Sequence, residues 1–177
     1  MKIGIVVGSV RDGRKGEAVG RWVAKQAEGR DATYEVVDLK AFDVPLLTSA
    51  TQPMAAKKSY DDERVQAWSD AIDACDAYVF VTPEYNHGVP GAFKNAVDRL
   101  GEEFVGKAVS LVGYGSVGGV RAIENWRTVL ANFSMKVTRH ELNLSTFLDW
   151  SEGLFEPLER RTEELAELFE ALEQAAS

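Results

Sequence analysis

An α/β fold, with a mostly parallel sheet covered by helices on both faces, is what this sequence predicts, on three observations. Short apolar runs such as Ile3-Gly4-Ile5-Val6-Val7 and Ala77-Tyr78-Val79-Phe80-Val81 lack polar alternation, as strands buried on both faces do. Segments with apolar residues at helical spacing lie between them. Strand and helix alternate along the chain, which is the βαβ pattern of a parallel sheet. No repeat or low-complexity linker divides the 177 residues, so one domain over 1–177 is expected.

The first strand is expected over Lys2–Val7, followed by a helix over Glu17–Glu28 with Val19, Trp22, Val23 and Gln26-Ala27 on one face. Thr33–Asp38 reads as the second strand. Leu39–Tyr60, with Pro45 and Pro53, reads as a long irregular connection; its length points to a function or to a surface excursion packed through Phe42, Leu46 and Leu47. Asp61–Cys75 reads as the second helix, through Val65, Trp68, Ala71 and Ile72, and Asp76–Val81 as the third strand. Pro90–Leu100 is a third helix, with proline in the first turn where a missing N–H is harmless. Lys107–Val112 reads as the fourth strand, Gly118–Phe133 carries a fourth helix, and Lys136–Thr138 begins a short fifth strand. The last helix is expected from Leu154 or Glu156 to Gln174, with Leu158, Leu165, Leu168, Phe169 and Leu172 as its apolar stripe.

Composition narrows the function. The net charge of −8 argues against a general binder of nucleic acid or acidic membrane. A single cysteine, Cys75, permits no internal disulfide and suits a reducing cytoplasm; between Asp73 and Asp76 it reads as a small buried hydrophobe rather than a reactive thiol. Two histidines, His87 and His140, make no metal cluster, so no metal is expected. No apolar run approaches the length of a membrane span, and the opening run is too short for a signal-peptide core.

In a wound α/β sheet, ligands bind just beyond the carboxyl ends of the strands, and three loops there have ligand-like chemistry. The first is Gly8-Ser9-Val10-Arg11-Asp12-Gly13-Arg14-Lys15-Gly16. Its glycines let backbone approach an anion, Ser9 offers a hydroxyl, and Arg11, Arg14 and Lys15 add positive charge ahead of a helix N-terminus. Gly8 and Gly13 have the spacing of a triphosphate loop, but Arg14 and Lys15 stand where lysine and a Mg²⁺-binding hydroxyl belong. Val10 breaks the dinucleotide fingerprint. A site for a terminal monophosphate remains.

The second loop, Pro83-Glu84-Tyr85-Asn86-His87-Gly88, offers an aromatic face and backbone N–H groups to a flat ring. The third, Gly113-Tyr114-Gly115-Ser116-Val117-Gly118-Gly119, offers bare backbone N–H groups. Each loop alone also reads as an ordinary turn, with Tyr85 filling core space and His87 at the surface. Three together at neighbouring strand ends point to a ligand with a phosphate at one end and a ring at the other.

The loops resemble the NADPH-dependent FMN reductase family. The matching elements are Gly8-Ser9-Val10-Arg11, Pro83-Glu84-Tyr85-Asn86, Pro90-Gly91-Ala92-Phe93-Lys94-Asn95-Ala96-Val97-Asp98 and Gly115-Ser116-Val117-Gly118-Gly119. They span Lys2 to about Val137, and Gly13–Glu17 replaces the serine-rich continuation of many relatives. The resemblance implies a flavodoxin-like three-layer sandwich with sheet order 2-1-3-4-5. It implies noncovalent FMN, with NADPH or NADH as donor and a quinone, flavin or similar small molecule as acceptor, in a ping-pong cycle. Ser9, Arg11, Lys15, Gly16 and Glu17 would serve the phosphate. Pro83, Glu84, Tyr85 and Asn86 would position the ring, and Gly115 and Ser116 would meet its polar edge. The cofactor would carry the chemistry, so no side chain is expected to be catalytic. A homodimer or homotetramer is also implied; Phe93, Val97, Ile123 and Trp126, on the helices from Pro90 and Gly118, read either as its apolar contacts or as residues that simply pack on the sheet. A flavodoxin-type electron carrier and a flavin-free module of the same fold are the alternatives.

Overall fold

The computed structural model describes Met1–Ser177. Five strands, β1 (Lys2–Val7), β2 (Thr33–Asp38), β3 (Ala77–Pro83), β4 (Ala108–Gly115) and β5 (Lys136–Ser145), form one sheet in the order β2-β1-β3-β4-β5. Every neighbouring pair is parallel. The helices are α1 (Gly16–Gln26), α2 (Glu63–Asp73), α3 (Gly91–Asp98), α4 (Val120–Ala131) and α5 (Arg160–Ala176).

Alternation along each strand divides the core between two layers. Tyr78 and Phe80 of β3 join Trp68 of α2, Phe93 of α3 and Trp126 of α4 on one face. Ala77, Val79 and Val81 join Val19 and Val23 of α1 and Leu165, Leu168 and Phe169 of α5 on the other. The three-layer sandwich and the strand order are those expected. Phe93, Val97, Ile123 and Trp126 have no exposed surface. They pack in the core layer on that face of the sheet, so they offer no surface to a second subunit.

The structure departs from expectation at three places. The fifth strand is ten residues long rather than three. Its register against β4 slips between the pairs Val109–Val137 and Leu111–Glu141, and it resumes to Ser145. Being an edge strand it carries polar residues, Arg139, His140 and Glu141, which read as loop. Next, α5 begins at Arg160, not near Leu154. Before it, β6 (Trp150–Ser151) and β7 (Leu154–Phe155) form a hairpin, turned by Glu152 and Gly153, both at positive φ. Leu158, expected in the stripe, is 39% exposed. Finally, the Leu39–Tyr60 connection packs inward through Leu39, Phe42, Val44 and Tyr60, Phe42 lying against Trp68 at 5.3 Å between centroids. Leu46 and Leu47 are exposed. The connection is held instead by Asn95, whose amide donates to the Pro45 carbonyl at 3.0 Å and accepts from the Leu47 N–H at 2.9 Å.

Cys75 is buried, its Sγ 3.4 Å from the Ala71 carbonyl, and burial raises its thiol pKa. It is the small hydrophobe expected.

Candidate functional site

The carboxyl ends of β1, β3 and β4 lie side by side in the middle of the sheet, so their loops meet. A cavity of about 320 Å³ opens between them, lined by residues 9, 11, 13–15, 83–85 and 114–115 together with Thr146.

The first loop enters through Gly8, where a Cβ would stand 1.9 Å from the Phe93 ring. Only glycine lets the chain turn over α3 there. Ser9 follows with 1% exposure, and its Oγ shares a 2.8 Å hydrogen bond with the Tyr85 hydroxyl of the second loop. Arg11 is exposed, with its guanidinium carbon 5.7 Å from the centroid of the Tyr85 ring. Lys15 points its ammonium at the Trp150 ring, 4.9 Å from the centroid. Neither cation has a carboxylate partner, so both keep their charge for a ligand.

Arg14 differs. It makes a two-pronged pair with Asp38 at the end of β2, one bond measuring 2.6 Å, and donates to the Ser9 carbonyl at 2.8 Å. It fixes the loop, and its charge is largely used. This also gives Asp38 a role: it anchors Arg14 and caps the turn after β2 through the Lys40 N–H.

Gly16 opens α1 and is buried under Tyr114; a Cβ would lie 2.5 Å from the Tyr114 hydroxyl. The first-turn N–H groups of α1 face the loop, as free donors of a helix N-terminus do. The Glu17 carboxylate pairs with Arg21 at 2.7 Å, and an anion there would repel a phosphate. Only its backbone N–H suits that role.

Tyr85 to Gly88 close a tight turn, with paired backbone bonds of 3.1 and 3.0 Å. Asn86 and His87 occupy its centre at φ 49° and 66°. Two non-glycine residues in the left-handed region store strain, which concentrates at binding sites. The turn holds both side chains outward at an exposed tip and leaves their N–H groups free. Pro83 ends β3 and forms part of the cavity wall.

Glu84 lines the cavity with its carboxylate already engaged. Its carboxylate accepts from the Arg121 N–H at 3.0 Å and from Arg121 Nε at 2.6 Å. It ties the second loop to the start of α4 and is a wall of the site rather than a free polar ligand.

The third loop needs Gly118 and Gly119, at φ 79° and 75°. A Cβ at Gly119 would stand 2.6 Å from the Tyr114 backbone nitrogen. Gly115 lines the cavity, while Ser116 is exposed and accepts from Ser145 Oγ through its carbonyl.

Two lining residues escaped the sequence reading. Tyr114 sits inside the glycine-rich run, and burial raises its phenol pKa, so it stays neutral under the cavity. Thr146 follows the part of β5 that read as loop, and no local signal marks it. Asp149 and Trp150 also have roles. Asp149, fully buried, receives Arg161 at 3.0 and 3.1 Å and the backbone N–H groups of Ser145 and Leu158. It joins the hairpin to α5 instead of meeting a ligand.

The chain matches known proteins in sequence and in fold. The family model for NADPH-dependent FMN reductase matches residues 1–149. The NAD(P)H-dependent FMN reductase LOT6 of Saccharomyces cerevisiae is 35% identical over 147 residues, covering 77% of each chain. A protein of Schizosaccharomyces pombe with the same description is 32% identical over 172 residues, 96% of this chain and 86% of that one. The quinone reductase of Escherichia coli K12 is 32% identical over 137 residues, 73% of this chain and 69% of that one. Among solved structures, the flavoenzyme FerB of Paracoccus denitrificans superposes with a TM-score of 0.75 at 21% identity, over 98% of both chains; at that identity the likeness speaks for the fold.

Proposed function

The chain belongs to the NADPH-dependent FMN reductase family, and from that premise we propose that the three-loop cavity holds FMN and serves both electron donor and acceptor in turn. The protein is an NAD(P)H-dependent flavin oxidoreductase. The observation that carries the site is the convergence of an unpaired Arg11, a buried Ser9 hydroxyl and the α1 N-terminus beside the strained Tyr85–Gly88 turn.

The residues present fit FMN. Ser9, Arg11, Lys15 and the first turn of α1 form a donor set for one terminal phosphate. Gly13, at φ 64° with open space around it, lets that loop close over the group. Tyr85 and the free amides of Asn86 and His87 suit a ring's edge and face, and Gly115 and Ser116 its polar side. When bound, FMN supplies the redox chemistry, taking two electrons from NADPH or NADH and passing them to the acceptor. The chain's part is to hold the ring, keep Tyr114 neutral beneath the phosphate loop and leave one face open. No side chain is assigned a catalytic role.

A single open cavity makes donor and acceptor mutually exclusive, which supports a ping-pong cycle with a quinone, flavin or similar small molecule as acceptor. Initial-rate measurements with NADPH and a quinone test this. Parallel double-reciprocal lines are expected, and intersecting lines with a ternary-complex product pattern would contradict it.

A homodimer or homotetramer and a cytoplasmic location complete the reading. Exposed Val117, Val120, Phe147 and Leu148 cluster beside the third loop, where the Thr146 N–H bonds to the Gly115 carbonyl. These residues, rather than buried ones of α3 and α4, are the contact surface we assign to the partner copy. Light scattering of the FMN-loaded protein at micromolar concentration tests it, and a monomer would refute it. No helix is long and apolar enough to cross a membrane.

A further inference from the structure

A second cavity, about 710 Å³, lies under the 45–64 segment and includes Arg99 in its lining. None of the three loops borders it. Arg99 directly follows α3, at the other end of that helix from the Tyr85 turn, about 12 Å away along eight residues at 1.5 Å rise each.

Arg99 is 7% exposed. Its Nε has no hydrogen-bond partner, and it belongs to none of the protein's ion pairs. A guanidinium carries five N–H donors and keeps its proton under all ordinary conditions, so burying one without an acceptor is costly. The local surroundings do not account for it. The C-terminal end of α3 attracts a cation but leaves the donors unfilled. The buried carboxylate of Glu103 already accepts from the Tyr60 hydroxyl at 2.9 Å, Ser69 Oγ at 2.6 Å and the Gly101 N–H at 2.8 Å. Asp62 on the rim caps α2 through the Arg64 N–H and pairs with the Arg64 side chain.

The cavity wall is fixed in place. Asn95 grips the segment at Pro45 and Leu47. The turn over Pro53–Ala56 lies so close to Gly101 that a Cβ there would meet the Met54 backbone at 2.7 Å. Pro45, Leu46, Leu47 and Pro53 give the cavity one apolar wall, in a lining that is otherwise mostly polar and includes Arg64, whose guanidinium is paired with Asp62 and Asp43.

We propose that this cavity is a second binding site, for a small carboxylate with an apolar body, held two-pronged by Arg99. One planar guanidinium matches one carboxylate, and the apolar wall takes the rest of the molecule. Asp61 and Asp62 on the rim repel a ligand of higher negative charge. The site is independent of the flavin reading.

The test uses FMN-saturated protein and benzoate as the probe. Titration calorimetry should show saturable benzoate binding, weakened at least about tenfold in Arg99→Met, the loss of a charge-assisted hydrogen bond, with FMN affinity unchanged. Equal benzoate affinity in parent and variant, or no saturable binding to the parent, would overturn the proposal. Should Arg99→Met fail to fold, crystals of the parent soaked in 4-bromobenzoate decide. Anomalous bromine signal in the cavity with the carboxylate on Arg99 supports the site. Bromine only elsewhere, or a carboxylate of a second copy seated on Arg99, overturns it.

Discussion

The hydroxyls of Ser9 and Tyr85 share a hydrogen bond of 2.8 Å although 76 residues separate them. It joins the phosphate-type loop after β1 to the ring-type loop after β3. A ligand spanning both would find its two ends already in register.

Arg11→Ala should weaken FMN binding by about 1.5–3 kcal/mol, the worth of a hydrogen bond to a charged group. Arg11 is exposed and touches little besides Tyr85, so the melting temperature of the FMN-free protein should hardly move. Fluorescence titration with FMN checks the first, a thermal scan the second. Unchanged affinity would remove Arg11 from the site.

Arg14→Met should behave in the opposite way. It breaks the pair with Asp38 and the bond to the Ser9 carbonyl, and should cost about 1–3 kcal/mol of stability in urea unfolding without FMN. A variant as stable as the parent would show that the clamp contributes nothing.

Gly16→Ala should destabilise by about 1–3 kcal/mol, because its Cβ meets the Tyr114 hydroxyl at 2.5 Å. Tyr114→Phe removes that oxygen, so the glycine substitution should cost less in the Phe background. Additive costs in the double-mutant cycle would refute the contact as the cause.

Acid sensitivity should trace in part to Glu173. Hydrogen bonds from Arg30, with help from Tyr34, hold its folded-state pKa below the ordinary glutamate value, against desolvation. A lowered folded pKa gives stability that is fully present above the unfolded value and lost as pH falls through the folded one. Glu173→Gln should therefore be less stable than the parent at neutral pH, and the gap should close below about pH 4. A gap independent of pH would place the effect elsewhere.

The sheet was legible because its central strands are buried on both faces, so Ile3–Val7 and Ala77–Val81 carry an unbroken apolar signal. Its edge was not. Arg139 and His140 face solvent, and the register slip there hides the rest of β5. The Glu152-Gly153 hairpin had a local turn signal, outweighed by the apolar residues beyond it. At the site, residue types announced the loops, but pairing could not be read from them. Arg14, Glu17 and Glu84 carry the right charges near the right place, and only the fold shows that Asp38, Arg21 and Arg121 engage them. Arg99 gave no signal, because what marks it is the absence of a partner in space.

The most direct test of the flavin assignment is the visible spectrum of the purified protein, reconstituted with FMN if needed, before and after anaerobic addition of NADPH or NADH. A flavin band that bleaches on addition and returns with a quinone, with FMN as the mononucleotide released by heat, is the result this account predicts. A colourless protein that cannot be reconstituted with FMN, or one releasing only FAD, would contradict it.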